Sequence, residues 1–193
     1  MNLEILYTIF YSYLLGSIPF GLVLTKLFLN KNLRKVGSGN IGATNVLRTG
    51  KKTLGFFTLV LDALKSYVAV IITYNYFIDY IYLSALMCLL GHVFPVWLKF
   101  NGGKGVAVFL GILFALSINL AIIFIISWIL ILYLKKYASV SSLLSTGVIF
   151  VYSIYLKNFF ESIFFFIIFV IIIYTHRENI VRLKQKTENK ISL

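Results

Sequence analysis

The sequence predicts an all-α integral membrane protein that crosses the bilayer several times, and two observations carry this prediction. Of the 193 residues, 60% are hydrophobic and only 12% are charged, whereas about a quarter of an ordinary soluble domain is charged. Several apolar runs approach or exceed the roughly 20 residues that a spanning helix needs. These runs are continuously apolar rather than alternating, which favours helices over a β-barrel. We therefore expect a single transmembrane domain over residues 1–193.

The number of spans depends on how one long run is divided. The apolar runs cover Leu3–Thr25, Leu54–Tyr74, Tyr80–Leu98, Val106–Leu134, Val140–Leu156 and Phe159–Tyr174. As one helix, Val106–Leu134 would be about 43 Å long, against a hydrocarbon core of about 30 Å. Dividing it near Ser117-Ile118-Asn119 gives two short spans and seven spans in total. Five spans, with one adjacent pair removed from the second half, is the alternative.

The distribution of positive charge orients the chain in the membrane. Cytoplasmic loops of membrane proteins are rich in Lys and Arg, and the net charge of +12 is spread over the loops between the apolar runs. We expect the N-terminus outside and the C-terminus in the cytoplasm, because seven spans then place the basic loops and the basic tail inside. The cations do not form one continuous groove, so nucleic-acid binding is disfavoured. Glu4 stands where a signal peptide would have basic residues, which indicates a retained first span.

A polar segment between the first two spans is the first candidate ligand site. SGNIGATN, residues Ser38–Asn45, combines residues that tolerate positive φ with short hydrogen-bonding side chains. Arg48 follows it, and a guanidinium beside exposed amides suits a phosphate. An ordinary turn is the alternative interpretation.

The second candidate is FNGGKGVA, residues Phe100–Ala107, just before the fourth apolar run. Its glycines would let backbone N–H groups approach an anion, and Lys104 with the N-terminus of the next helix would add positive charge. The spacing of a nucleotide-binding P-loop is missing. A phosphate without a nucleotide is therefore the better interpretation, with a flexible hinge as the alternative.

A few other polar residues lie within or beside the apolar runs. His92 is a lone intramembrane histidine, either a satisfied hydrogen-bonding residue or a functional one. Asp62 and Lys65 share a helix face and predict an ion pair, and His176 and Asn179 share one if the tail is helical. The distal half of the basic tail is expected to be solvated and attracted to anionic lipid.

Several catalytic patterns are missing from the sequence. No cluster of Asp, Glu, His and Cys has the spacing of metal ligands, and no serine lies in a G-x-S-x-G elbow. We therefore expect no metal and no cofactor. Without a metal or an activated nucleophile, the substrate must arrive already activated.

Three segments together resemble the bacterial acyl-phosphate:glycerol-3-phosphate acyltransferases, the PlsY family. They are SGNIGATNVLR (Ser38–Arg48), GHVFPVWLKFNGGKGVA (Gly91–Ala107) and HRENIVRL (His176–Leu183), and YLLGSIPFG (Tyr13–Gly21) is similar too. The resemblance implies transfer of an acyl group from a long-chain acyl phosphate to the 1-hydroxyl of sn-glycerol 3-phosphate. It also implies a seven-span protein of the bacterial inner membrane with its active site facing the cytoplasm, with membrane lipid as a further partner.

The resemblance also assigns site residues. The catalytic positions it implies are Ser38, Arg48, Lys104, His176 and Asn179. The substrate-binding positions it implies are Gly39, Asn40, Gly42, Thr44, Asn45, His92, Gly102, Gly103 and Gly105. Either His176 or a phosphate oxygen of a substrate would take the proton of the attacking hydroxyl.

Two residues depart from the family pattern. Ser66 and Lys186 stand where the family usually has glycine, so the local backbone geometry of both positions is in question.

Two other functions compete with acyl transfer. A transporter or flippase for a phosphorylated solute or lipid would place its cations near the midplane and show internal repeats. A membrane anchor for an acidic partner would leave the Asn, Gly and His motifs unexplained.

Overall fold

The computed structural model describes residues 3–191 and is helical, with no strand among them. In that range the α-helices are α1 (Leu3–Gly16), α2 (Phe20–Leu29), α3 (Ala43–Leu47), α4 (Lys52–Tyr76), α5 (Ile81–Val93), α6 (Val106–Leu116), α7 (Ile118–Lys135), α8 (Ala138–Tyr155), α9 (Phe159–Thr175) and α10 (Arg177–Lys184). Short 3-10 turns cover Leu33–Lys35, Ile78–Tyr80 and Val96–Leu98. The predicted all-α class is confirmed.

Internal contacts divide the chain into two compact units, the first ending at Leu116 and the second beginning at Ser117. In the first unit, α4 is the central helix and packs against α1, α2, α3, α5 and α6. In the second unit, α8 packs between α7 and α9, and α10 follows α9 at a bend of 58°.

The helices are long and apolar enough for a multi-pass membrane protein. Between residues 3 and 191, five segments could cross a membrane by length and composition, or six if the bent pair α9–α10 is one span. The five are Leu3–Leu29, Lys52–Tyr76, Ile78–Leu98, Ile118–Lys135 and Ala138–Tyr155. The shorter α6 is also apolar. Large apolar side chains such as Phe10, Ile126 and Phe166 are exposed, as expected of surfaces that face lipid.

The predicted division of the long fourth run is confirmed. Ser117 is extended, with φ −163° and ψ 121°, and separates α6 from α7. The two helices are not both short, however, because α6 has 11 residues and α7 has 18. Span length and charge indicate that a break is needed, and the break lies at Ser117, within the predicted segment.

The first apolar run, predicted as one span, is broken. Helix α1 ends at Gly16 and α2 begins at Phe20. Pro19 lies in the break and has no N–H to continue the helical hydrogen bonds. The predicted first span is still one candidate membrane segment, Leu3–Leu29, but it consists of two helices rather than one. The break leaves the carbonyl of Ile18 available, and Lys65 Nζ donates to that oxygen at 2.6 Å.

Glycines allow the helices of the first unit to approach each other at backbone distance. A Cβ at Gly16 would lie 2.0 Å from the carbonyl oxygen of Cys88, and one at Gly91 would lie 2.3 Å from that of Tyr13, which closes the α1–α5 contact. Small residues serve this purpose in membrane helices because association depends on close packing. Side chains at these two positions would push the helices apart.

The contact between α4 and α6 explains why Ser66 is tolerated where the family usually has glycine. The Ser66 hydroxyl lies 2.8 Å from both the Ala63 and the Val108 carbonyl oxygens. Gly111 leaves the room for this arrangement, because a Cβ there would lie 1.9 Å from the Ala63 oxygen and 2.3 Å from Ser66 Oγ. The hydroxyl thus bridges the two helices.

We expect Gly111→Ala to lower the thermal unfolding midpoint in detergent, because the added methyl group meets backbone that cannot move locally. Overpacking of this kind costs about 1–3 kcal/mol. Gly147→Ala in α8 is the matched control, since its Cβ would lie 3.5 Å from the Phe169 ring, an ordinary contact. Alanine improves helix propensity by up to about 1 kcal/mol, so this variant should be neutral or more stable. Equal midpoints for the two variants would contradict this account of the α4–α6 contact.

Candidate active site

The loop between α2 and α4 is organised around the side chain of Asn45, which is 2% exposed. Its Nδ2 lies within hydrogen-bond distance of the carbonyl oxygens of Leu33 (3.2 Å), Val36 (2.9 Å) and Asn40 (2.7 Å). Its Oδ1 accepts from the backbone N–H of Ser38 at 3.0 Å. A buried amide with both ends satisfied fixes the loop in one conformation. Asn45 therefore holds the loop from inside, although the resemblance implied a contact with substrate.

Asn45 also brings together the two residues of this loop that could meet a ligand. Its Oδ1 lies 3.3 Å from Ser38 Oγ and 3.5 Å from Arg48 Nη1. Gly37 has φ +52°, and a Cβ there would lie 2.6 Å from both Arg48 Cδ and Asn45 Oδ1. The half-buried serine and the exposed arginine therefore lie beside the same amide oxygen.

The other predicted residues of this loop contribute mainly backbone. Gly39 has φ +70°, Gly42 caps α3, and Thr44 is exposed in the first turn of that helix. A buried cluster of Leu33, Ile41 and Val46 anchors the loop beneath. A Cβ at Gly21 would lie 1.9 Å from the Ile41 oxygen, so α2 lies directly on the loop.

The second loop turns back onto the end of α5. The backbone N–H of Gly102 donates to the Val93 oxygen at 2.9 Å, and that of Gly103 donates to the His92 oxygen at 3.0 Å. A Cβ at Gly102 would lie 2.0 Å from the His92 oxygen, and one at Gly103 would lie 2.2 Å from His92 Nε2. The prediction that these two N–H groups cradle an anion is therefore wrong. The glycines are needed because the loop contacts the backbone and ring of His92.

Lys104 and Gly105 carry the loop into the N-terminus of α6. Gly105 has φ +83°, and its oxygen accepts from the N–H of Phe109 at 2.7 Å. The half-buried Lys104 thus lies beside a helix N-terminus, where the helix dipole adds partial positive charge. Arg34 Nη2 donates to the Asn101 oxygen, which ties the first loop to the second. The sequence analysis missed this contact, because nothing in the sequence pairs these residues.

A buried polar group lies behind the second loop. Lys65 Nζ lies 2.8 Å from Asp62 Oδ1, so the predicted ion pair is confirmed. The same Nζ lies 2.9 Å from His92 Nδ1. His92 is therefore hydrogen-bonded within the membrane-spanning part of the first unit, and its ring is 4% exposed. The sequence analysis predicted the pair but not its contact with the histidine.

In the second unit, His176 lies at the bend between α9 and α10. Its Nδ1 donates to the Ile172 oxygen at 2.8 Å, and its own oxygen accepts from the N–H of Ile180 at 2.9 Å. A carbonyl can only accept, so Nδ1 carries a proton, and when the ring is neutral Nε2 is its acceptor atom. Such a ring can orient or deprotonate a hydroxyl.

Asn179 lies one turn further and is held by a carboxylate that the sequence analysis missed. Glu188 Oε1 accepts from Asn179 Nδ2 at 2.6 Å and from Ser139 Oγ at 3.0 Å. Glu188 Oε2 accepts from Arg182 Nε at 2.8 Å. Burial opposes ionisation of this carboxyl, but the hydrogen bonds from Arg182, Asn179 and Ser139 outweigh it and hold its pKa below the ordinary 4.5. The sequence does contain one signal for this contact. Glu188 is one of only six Asp and Glu residues in the chain, and it lies within a basic tail.

The tail beyond α10 contacts the segment between α7 and α8, but Thr187, Asn189 and Lys190 stay exposed, as predicted for its distal half. The N–H of Ile191 donates to the Lys136 oxygen at 2.8 Å, and Lys190 Nζ lies 5.8 Å from the centroid of the Tyr137 ring. Lys186, where the family usually has glycine, has φ +58°, in the left-handed region that favours glycine. The turn that glycine would form is therefore present despite the lysine.

Acidification should release this tail. Because the pKa of Glu188 is depressed in the folded protein, its contribution to stability is present above the ordinary carboxyl pKa and is lost as the pH falls through the folded value. A fluorophore on Asn189→Cys should therefore become mobile below about pH 4.5, as measured by anisotropy; Cys88 is buried and should not compete for the label. Adding Glu188→Gln should make the label mobile at neutral pH. A label whose anisotropy ignores both changes would show that the carboxylate does not hold the tail.

Comparison with known proteins agrees with these motifs. Residues 6–186 match the family model described as glycerol-3-phosphate acyltransferase. The chain is 56% identical to the glycerol-3-phosphate acyltransferase of Pelagibacter ubique (strain HTCC1062), over 94% of this chain and 95% of that protein. It is 48% identical to that of Wolbachia sp. subsp. Brugia malayi (strain TRS), again over 94% and 95%.

A solved structure agrees over nearly the whole chain. It is the crystal structure of PlsY (YgiH), an integral membrane glycerol 3-phosphate acyltransferase, in its glycerol 3-phosphate form. The TM-score is 0.92 at 38% identity, over 97% of this chain and 96% of that one. The lysophosphatidic acid form of the same protein gives 0.89 at 37% identity, over 97% and 95%. The chain therefore belongs to the glycerol-3-phosphate acyltransferase family.

Proposed function

We propose that this acyltransferase takes a long-chain acyl group from acyl phosphate and transfers it to the 1-hydroxyl of sn-glycerol 3-phosphate. The products are 1-acyl-sn-glycerol 3-phosphate and inorganic phosphate, and the reaction is the first acylation of phospholipid synthesis. One observation carries the proposal beyond family membership. The two loops of the first unit, connected by the contact of Arg34 with Asn101, each contain a cation, Arg48 and Lys104, and the two proposed substrates each carry a phosphate.

The reaction needs no metal or cofactor, because acyl phosphate is already activated. The hydroxyl oxygen attacks the acyl carbonyl carbon, the bond from that carbon to the phosphate oxygen breaks, and phosphate leaves with the electron pair. The proton of the hydroxyl goes either to Nε2 of His176 or to a phosphate oxygen of a substrate. We favour the phosphate, since it is present at the reacting centre in every catalytic cycle.

The site residues divide by the kind of contact they can make. Arg48 and Lys104 hold phosphate by charge-assisted hydrogen bonds, and Lys104 also benefits from the N-terminus of α6. Ser38 and Asn179 orient the acceptor. The residues with backbone or supporting roles are Gly39, Asn40, Gly42, Thr44, Asn45, His92, Gly102, Gly103 and Gly105.

The proposal includes a membrane arrangement. Seven spans, with α1–α2, α4, α5, α6, α7, α8 and α9 as the crossing segments, put the N-terminus outside and the C-terminus in the cytoplasm. Both basic loops then face the cytoplasm of a bacterial cell, as the positive-inside rule expects. The acyl tail of the donor stays among membrane lipid, and residues 1–193 form one acyltransferase domain.

A donor comparison tests the reaction. Purified protein is given labelled glycerol 3-phosphate with acyl phosphate, acyl-CoA or acyl-carrier-protein thioester in parallel. We expect labelled lysophosphatidic acid with acyl phosphate alone. Arg48→Ala and Lys104→Ala should each lower kcat/KM by roughly tenfold to a hundredfold or more, because each removes a charged hydrogen bond to phosphate.

Lys51→Ala is the matched control for these variants, since Lys51 is an exposed cation of the same basic region that has no assigned role. It should keep the activity of the unaltered protein. Normal turnover by either test variant, with the protein folded, would remove the phosphate assignment. Product formed from a thioester, but not from acyl phosphate, would overturn the proposed donor.

Single cysteines test the orientation. Exposed positions Asn75 and Asn158 should react with a membrane-impermeant thiol reagent from outside intact cells. The exposed Gln185 should react only after the inner face is opened. Labelling of Gln185→Cys in intact cells, or protection of the other two, would refute the seven-span arrangement.

A further inference from the structure

We propose that Lys65, paired with Asp62, is a positioning residue for acyl transfer: it fixes the ring of His92 and, through it, the loop that carries Lys104. The inference rests on the proposed function in that acyl transfer is one of its readouts. It assigns a role to a charged pair that lies inside a membrane-spanning helix and belongs to none of the three cytoplasmic motifs.

The Lys65 ammonium has three close polar partners. Nζ lies 2.8 Å from Asp62 Oδ1, 2.6 Å from the Ile18 oxygen and 2.9 Å from His92 Nδ1. An ammonium group has three N–H donors and no acceptor. Nδ1 of His92 must therefore accept, which places the ring proton on Nε2.

The fixed ring is the surface on which the second loop lies. His92 contacts that loop twice: its oxygen accepts from the N–H of Gly103 at 3.0 Å, and its Nε2 would lie 2.2 Å from a Cβ at Gly103. Lys104 is the next residue. A change in the ring orientation of His92 therefore displaces the backbone that sets the direction of Lys104.

Lys65 supports the first loop by a second route. The Ile18 oxygen lies in the break between α1 and α2, and α2 lies on the first loop through the contact of Gly21 with Ile41. Lys65 thus contacts both the break before α2, which packs on the first loop, and His92, on which the second loop lies. This explains why both loops depend on one side chain in α4.

A role in helix packing alone does not require this arrangement. A buried ion pair is costly to desolvate, and well-packed apolar residues often replace one without loss of stability. Apolar residues cannot donate to the Ile18 oxygen or to Nδ1 of His92, so the hydrogen bonds are what the lysine adds. If the pair only packs the helices, removing both charges together should leave the KM values unchanged. A positioning role predicts that KM rises.

The test is the double variant Asp62→Asn/Lys65→Met, which leaves no unpaired charge. We expect a folded protein whose KM for glycerol 3-phosphate or acyl phosphate rises by about tenfold. Ser12→Ala/Ser84→Ala is the matched control, because it removes a buried hydrogen bond of 2.8 Å between α1 and α5 away from the loops. Partial unfolding in either variant would reduce the number of active molecules and leave both KM values unchanged.

A measurement that keeps the Asp62–Lys65 pair intact leaves the inference testable if the double variant does not fold. The chain has two histidines, so ¹⁵N-histidine solid-state NMR in a His176→Gln background reports on His92 alone. We expect the Nε2–H tautomer with Nδ1 accepting, and loss of that state in Lys65→Met. A proton on Nδ1 when Lys65 is present would overturn the inference, as would normal KM values in a folded double variant.

Failure of the proposed function gives a different result. If the unaltered protein transfers no acyl group from acyl phosphate, the donor assignment fails, while the tautomer still tests the hydrogen bonds of Lys65. If the unaltered protein is active and the tautomer is as expected, unchanged KM values in the double variant reject the positioning role alone.

Discussion

The two hydrogen bonds from Gly102 and Gly103 to the end of α5 are the constraint on which the second loop depends. Helix α5 ends at Val93, and a helix end leaves carbonyl groups without intrahelical partners. In a membrane protein such groups must be satisfied from within the chain. The loop supplies the donors at 2.9 and 3.0 Å, but only glycine can approach so closely. The same loop leads into α6. The hydrogen bonds that complete the end of α5 therefore also place Lys104 at the beginning of α6.

The first loop meets the same requirement with a side chain. Asn45 satisfies carbonyl groups on one side with its Nδ2, and its Oδ1 faces Ser38 and Arg48 on the other. In both loops, therefore, buried hydrogen bonds fix the backbone and a cation stands at the outer edge. If the cations bind phosphate as proposed, loops that are already ordered lower the entropic cost of binding.

The features that could be predicted from the sequence are those with a local or compositional cause. The division at Ser117 follows from span length and charge, and the Asp62–Lys65 pair follows from helical spacing. The break near Pro19 also has a local cause, the missing N–H of proline. The contact of Lys65 with the Ile18 oxygen and that of Ser139 with Glu188 could not be predicted with the same reasoning. Each joins residues that are far apart in the sequence. Neither hydrophobic periodicity nor motif spacing indicates which distant residues will contact each other.

Lys186 shows how the fold tolerates a departure from the family pattern. Holding a lysine in the left-handed region costs about 1 kcal/mol, and that conformation is what turns the chain so that Glu188 reaches Asn179. The carboxylate gains hydrogen bonds from Asn179, Ser139 and Arg182 in return, and charge-assisted bonds of this kind contribute about 1.5–3 kcal/mol each when well shielded. Even after discounting for partial exposure, the turn is favoured over an extended tail. A lysine at position 186 therefore makes the turn less stable than a glycine would, but Glu188 still reaches Asn179.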